Sequence, residues 1–135
     1  MRTLISTISA AGAMLCAAAA LADADASQAV WQRHVQAASA GDLDAVMADF
    51  AEDSAIITTE GVISGGAAIR AFFEDLLGGL EPEDIETAVV NAEIVHDDVV
   101  VYNFTIGAVG RTFHDTAVIR DDRIRVLTTQ NYPAE

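Results

Sequence analysis

Three side chains in this sequence have the types that acid–base chemistry needs, and each stands where such a group is costly to place. His34 falls on the apolar stripe of a predicted helix, three residues after Trp31 and alongside Val35 and Ala38. Asp115 falls on a predicted strand and shares its face with Phe113, Ala117 and Ile119, because side chains two apart point the same way. Tyr102 shares a strand face with Val100, Phe104 and Ile106. A titratable group on an inward face must find a hydrogen-bond partner or a solvated pocket. An imidazole can take or give a proton, a carboxylate beside it orients the ring and favours its protonated form, and a phenol can donate to a substrate oxygen. The same residues also admit a structural role: His34 as a satisfied core histidine, and Asp115 bonded to a strand neighbour or to Arg111 or Arg120. His96, beside Asp97-Asp98, and His114, on the opposite face of the Asp115 strand, read as surface residues.

The elements that position these groups are legible as periodicities. A first helix is predicted from Ser27, as N-cap, to Ala40, stopped by Gly41. Asp42 caps a second helix whose inward face is Leu43, Val46, Met47 and Phe50, and Ile69, Phe72, Phe73 and Leu76 repeat that spacing in a third helix between Gly65-Gly66 and Gly78-Gly79. Between them lie a strand from Ala55 to Thr58, a turn at Glu60-Gly61 and a short strand, Val62-Ile63. Ile56 and Ile57, adjacent and β-branched, suit a strand covered on both faces. The second half is strand after strand: Ile85 to Val95, Val99 to Ile106, Arg111 to Arg120 and Arg123 to Tyr132. The short turns between them predict an antiparallel meander. Glu81 to Glu86 and Asp97-Asp98 read as solvated loops and turns. The last strand is ambiguous, with Ile124, Val126 and Tyr132 opposed to Leu127, Thr129 and Asn131.

The wording Gly41-Asp42-Leu43-Asp44-Ala45, then Phe50-Ala51-Glu52-Asp53-Ser54-Ala55, then Gly61-Val62-Ile63-Ser64-Gly65 with Ile69 and Phe72-Phe73 following, resembles the SnoaL-like members of the nuclear transport factor 2-like superfamily. The resemblance implies an α+β domain of ketosteroid isomerase-like fold, a cone-shaped, curved, largely antiparallel sheet packed on three N-terminal helices around a conical cavity. In such a cavity His34, Asp115 and Tyr102 are the candidate catalytic residues, and Trp31, Thr58, Phe104 and Asn131 the candidate ligand contacts. His34 and Asp115 would meet across it, as histidine and aspartate groups do in the SnoaL-type cyclases and scytalone dehydratase that this resembles. Ketosteroid isomerase itself matches less well. His34 stands where that family has an oxyanion-donating tyrosine, Thr58 where it has its general-base aspartate, and Ala117 where it has a protonated aspartate, this last match depending on loop lengths and able to slip by two. An isomerase of that kind would lack its base and its acid. The expected function is therefore the binding of a small, mostly apolar molecule in the conical pocket. An acid–base enzyme of isomerase, dehydratase or cyclase type, using His34 with Asp115, is the alternative, and an association module is a third. A homodimer through a partly apolar outer sheet face is also expected.

Composition narrows the partners. The 135 residues contain no lysine, and the formal net charge is −14. Such a surface repels phosphate backbones and anionic membranes, so neither nucleic acid nor a membrane surface is an expected partner. Gly65-Gly66 opens no phosphate loop, since no G-x-x-x-x-G-K-[ST] pattern is present. Three scattered histidines lack ligand spacing, so no metal and no cofactor are expected. Residues 1–22 have the form of a signal peptide: Arg2, an apolar run from Leu4 to Ala19, and the small residues Ala20-Leu21-Ala22, with Ala24 as a second cleavage position. That assigns 23–135 to the SnoaL-like domain, exported to the periplasm or secreted. Cleavage would remove Cys16, the one cysteine, and with it any disulfide or thiol chemistry.

Overall fold

The structure, a computed structural model, describes residues 23–135. The signal-peptide expectation falls on residues 1–22, outside the described residues. Four helices and six strands follow in the order α1 (Ala24–Ser39), α2 (Leu43–Ala48), β1 (Phe50–Thr58), β2 (Gly61–Ser64), α3 (Gly66–Gly78), α4 (Pro82–Glu86), β3 (Ala88–His96), β4 (Val99–Ile106), β5 (Arg111–Arg120) and β6 (Arg123–Pro133). One curved sheet, ordered β2-β1-β6-β5-β4-β3, carries the helices on its inner face. The predicted meander is present as β3 to β6, and β1 joins it parallel to β6, so the sheet is mixed. No helix among the described residues is long and apolar enough to cross a membrane.

Helix α1 begins earlier than expected. Asp23, rather than Ser27, is the N-cap, its Oδ1 accepting from the Ala26 amide at 2.8 Å. Ser27 is buried one turn in, and its hydroxyl donates to the Asp97 carbonyl at 2.7 Å, fastening α1 to the β3–β4 turn. The buried stripe is accordingly Ser27, Val30, Trp31, His34 and Ala37, with Val35 and Ala38 half-buried beside it. Gly41, at φ +66°, ends α1, and Asp42 caps α2 through the Ala45 amide at 3.0 Å.

Strand β1 starts five residues before the expected Ala55. The polar run Ala51 to Ser54 hides it, because the pairing with β6 shifts register there. Ser54 closes the irregularity: its hydroxyl accepts from the Ala51 amide at 2.9 Å and donates to the Ile124 carbonyl at 2.7 Å. Further along, Ile56 is 0 % exposed and Ile57 is 39 % exposed. The expectation that both are covered is corrected, since helices pack on one face of β1 only.

Two acidic stretches are more ordered than solvated loops. Glu81 caps α4, with proline in the first turn and the Glu81 amide donating to Asp84 at 2.9 Å, so Ile85 belongs to this helix and β3 begins at Ala88. In the Asp97-Asp98 turn, Asp98 is buried and accepts from Arg120 Nε at 2.8 Å. A bulge settles the ambiguous last strand. Ile119 pairs with Ile124 and Val118 with Val126, leaving Arg125 as the extra residue, so the inward set passes from Ile124 to Leu127 and Thr129. Arg125 instead reaches Asp53 at 2.8 Å and Asp121 at 3.0 Å.

One-sided cover of β1 has a measurable consequence. Ile56→Ala is expected to destabilise the monomer by about 2–5 kcal/mol and Ile57→Ala by less than about 1 kcal/mol; chemical denaturation of the two variants at concentrations where the chain is monomeric, with equal losses as the contrary result, checks it.

Candidate functional site

The inner face of the sheet and the helices enclose a cavity of about 290 Å³. Its roof comes from α1 and α3, its floor from β4, β5 and β6, and one side from α4 and β3. The walls are mostly apolar, with Phe72, Leu76, Ile85, Phe104, Phe113 and Leu127 among them. The polar groups are few and ordered by the strand register. Tyr102 pairs with Asp115, and Asp115 with Thr129, so the three form one rung across adjacent strands; Glu93 of β3 extends it at the rim beside Tyr102. The rungs on either side are apolar on β4 and β5, Phe104 with Phe113 and Val100 with Ala117.

Of the expected site residues, Trp31, His34, Tyr102, Phe104 and Asp115 line this cavity. Thr58 and Asn131 do not. Thr58 closes the β1–β2 turn, its hydroxyl donating to the Gly61 carbonyl at 3.3 Å and accepting from the Glu60 amide at 3.1 Å. Asn131 has inward parity but lies at the exposed end of β6, past the cavity. Ala117, set against an acid of ketosteroid isomerase, is a fully buried core residue one rung from Asp115. His96 and His114 are on the surface as expected, His114 packing edge-on against Tyr132 at 5.5 Å.

His34 hangs from α1 among aromatic rings, with Trp31, Phe50 and Phe73 at centroid separations of 5.4, 5.5 and 5.6 Å. Asp115 was expected to orient it; the carboxyl against its ring is Asp49, which the sequence reading missed. His34 Nδ1 faces Asp49 Oδ2 at 3.8 Å, too long for a hydrogen bond, and both atoms are buried without a partner. The other oxygen, Asp49 Oδ1, accepts from Arg33 Nε at 2.6 Å, and Arg33 also lies 3.6 Å from Asp122. Burial, and then the positive charge of Arg33, hold the imidazole down to about 4, so the ring is neutral at physiological pH. Burial also raises the Asp49 carboxyl, against the opposing pull of Arg33.

Asp115 pairs with neither Arg111 nor Arg120. Its Oδ1 is buried and unpartnered. Burial pushes its carboxyl up to about 6, while the Thr129 hydroxyl opposite it on β6 pulls in the other direction. Tyr102 is raised as well, by burial first and then by the negative charges of Glu93 and Asp115. Trp31 Nε1 is a second unpartnered buried polar atom on an α1 residue of the cavity wall.

The family model described as SnoaL-like domain matches residues 31–127. This chain belongs to the SnoaL-like domain family. Solved structures similar to this SnoaL-like domain include an NTF-2 like protein of unknown function from Burkholderia xenovorans LB400, at 17% identity and TM-score 0.65, over 82% of this chain and 84% of that one. A protein named as a candidate ketosteroid isomerase from Kribbella flavida DSM 17836 is 14% identical with TM-score 0.65, over 84% of this chain and 83% of that one. A candidate polyketide cyclase from Sinorhizobium meliloti is 19% identical with TM-score 0.61, over 76% and 94%. At these identities the likeness shows the nuclear transport factor 2-like fold and carries no activity across. No curated protein sequence matches the chain.

The two titrating groups of the cavity pull stability in opposite directions with pH. Asp115, raised in the folded state, favours folding below its ordinary carboxyl range, and that contribution is lost as pH rises through about 6. His34, lowered to about 4, costs stability as pH falls through the range between its ordinary value and 4. Asp115→Asn removes the first effect alone. The variant is expected to exceed the native protein in stability by on the order of 2 kcal/mol near neutral pH, with the difference vanishing towards about pH 4; parallel denaturation curves across pH, with a constant difference as the contrary result, check it.

Proposed function

We propose that this SnoaL-like domain binds a small, mostly apolar molecule in the cavity, with the ligand's polar group seated on the rung of Tyr102, Asp115 and Thr129 beneath His34. The observation that carries this is an apolar cavity whose wall holds a buried, unpartnered carboxyl oxygen and a buried, unpartnered indole N–H donor. Buried polar groups are normally satisfied, and a mostly apolar concavity with a few converging polar groups is the usual form of a small-molecule site. The open interior also tells against a pure association module, which would fill that space with side chains.

A second reading, acid–base catalysis of isomerase, dehydratase or cyclase type, is favoured by one observation. His34 Nδ1 lies 3.8 Å from Asp49 Oδ2, and closing that gap on ligand binding would hold the ring with Nε2 free to meet a bound molecule. Asp115, titrating near 6 on the cavity floor, would then be the proton donor. Similar folds carry the names ketosteroid isomerase and polyketide cyclase, which are chemistries of this class.

The reading extends to assembly and address: a homodimer, exported to the periplasm or secreted. Support for the dimer comes from the outer sheet face. Val62, Ile57, Thr128, Thr116, Val101 and Ile94 form one uncharged, β-branched rung across all six strands, in a chain of net charge −14. A second copy would cover that rung and keep its own acids outside.

Trp31 is the single tryptophan, is 2 % exposed and lines the cavity, so its fluorescence reports occupancy. Mass spectrometry of the protein purified from its native compartment is expected to release an apolar molecule whose return to the stripped protein changes Trp31 emission. His34→Ala alters affinity alone if the domain is a binder and abolishes turnover if it is an enzyme. Release of no molecule, together with indifference of Trp31 emission to a panel of small apolar compounds, contradicts both. Light scattering is expected to give twice the chain mass for the native protein and the single mass for Val101→Glu; a native monomer overturns the dimer.

A further inference from the structure

Among the described residues, Asp115 supplies the one carboxyl on the cavity wall, and no arginine lines it. Aromatic rings stand around it. Tyr102 is its cross-strand partner, Phe113 lies two residues earlier on the same strand face, Phe104 stacks on Phe113 at 4.8 Å and 7° between planes, and Trp31 meets Tyr102 edge-on at 5.5 Å. A buried carboxylate ringed by aromatic groups has the parts of a receptor for a cation, since the acid supplies the charge and the negative faces of the rings replace water.

The other charged groups near it offer no counterion. His34, on α1, is neutral at physiological pH. Glu93 on β3 adds a second negative charge near Tyr102, and Thr129 on β6 is uncharged. Helices α3 and α4 bring only apolar residues to the wall. Arg33 is engaged by Asp49 and Arg120 by Asp98. Beyond the cavity, 21 acids against seven basic residues draw cations towards the protein and repel anions.

Resting on the ligand cavity proposed above, we infer that the group seated at Asp115 is a protonated amine, so that the ligand class is small apolar amines and carboxylic acids are rejected. With a value near 6, Asp115 is mostly ionised at neutral pH and needs a positive partner. An uncharged ligand covering it would remove its remaining water and push it to take up a proton, whereas an ammonium group stabilises the ionised form. Amine binding therefore releases protons and strengthens as pH rises through about 6, and binding of a neutral analogue weakens over the same range.

Three compounds of the same ring and reach test this: 2-phenylethylamine, 2-phenylethanol and 3-phenylpropionate, each titrated against Trp31 fluorescence and by calorimetry from about pH 5 to about pH 8. The expected result is an amine bound about tenfold more tightly than the alcohol at the upper end, a propionate that does not bind, and amine affinity falling by up to about tenfold per pH unit below the Asp115 transition. Asp115→Asn is expected to flatten that profile and abolish the preference for the amine while the alcohol still binds. The pH profile of the native protein stands as a test whether or not the variant folds. Alcohol binding as tight as amine binding, or an amine preference that survives in Asp115→Asn, overturns the inference and leaves the cavity reading intact. If none of the three compounds binds, the inference falls, and the cavity reading is decided by the release and panel measurements above.

Discussion

Asp49 ties its own α2–β1 junction to α1 and to β6. Its carbonyl accepts from the Ile124 amide at 2.7 Å, its Oδ1 accepts from Arg33 at 2.6 Å, and its Oδ2 faces His34. The first contact belongs to the seam where β1 joins β6 in parallel, the single pairing that links the N-terminal half of the chain to the C-terminal meander. The second fixes α1 over that seam, and the third leaves His34 facing it without a bond. Without the seam, α3, which packs on β1 and β2, would be cut off from the meander, and the cavity would lose that part of its roof while α1 stayed on β3 to β5. Ser54 reinforces the same place by bonding to the Ile124 carbonyl, so both backbone groups of Ile124 are held from the β1 side. Buried polar contacts of this kind are costly to half-satisfy, and they define one register rather than several.

That register decides the site. Tyr102, Asp115 and Thr129 meet on the cavity floor because three strands pair without slippage across that rung, while the bulges fall elsewhere, at Asn91, at Arg125 and near Ser54. A one-residue slip of β5 would send Asp115 to the outer face and bring His114 or Thr116 inward. The outer face carries its own rung, from Val62 to Ile94, uncharged and β-branched throughout. One sheet thus presents two surfaces of different chemistry, an inner one with a single polar line in an apolar cone and an outer one whose rung from Val62 to Ile94 is uncharged.

Much of this was legible in the sequence because it rests on periodicity. Two-residue alternation placed Tyr102, Phe104 and Asp115 on one inward face, and helical spacing placed Trp31 and His34 on another. The family resemblance then supplied the cone that brings those faces together. What failed had no periodic signature. Asp49 looks like any acid closing a short helix among many acids, and only the tertiary approach of Arg33 and His34 distinguishes it. Thr58 was assigned by its correspondence with a catalytic residue elsewhere, but its hydroxyl is spent on the turn that Gly61 closes. Asn131 had the right parity and the wrong height on its strand. Ile57 read as core because two adjacent β-branched residues cannot reveal which face lacks a cover.

The two buried acids at the site show how one interior can give like groups different tasks. Burial raises both carboxyls. Asp49 meets that cost locally, with a guanidinium bonded to one oxygen, which makes it a structural anion able to hold α1 in place. Asp115 has only a hydroxyl across the sheet, so its charge is left uncompensated within the chain and its proton is held at a pH where it can be exchanged. A group of the first kind can be replaced only together with its partner. A group of the second kind destabilises the domain that carries it, and such strain persists where something outside the fold relieves it. Geometry agrees, since Asp49 faces inward to the helix seam and Asp115 faces the open volume. The contrast makes Asp115, rather than the better-connected Asp49, the residue through which a ligand would be felt by the whole domain.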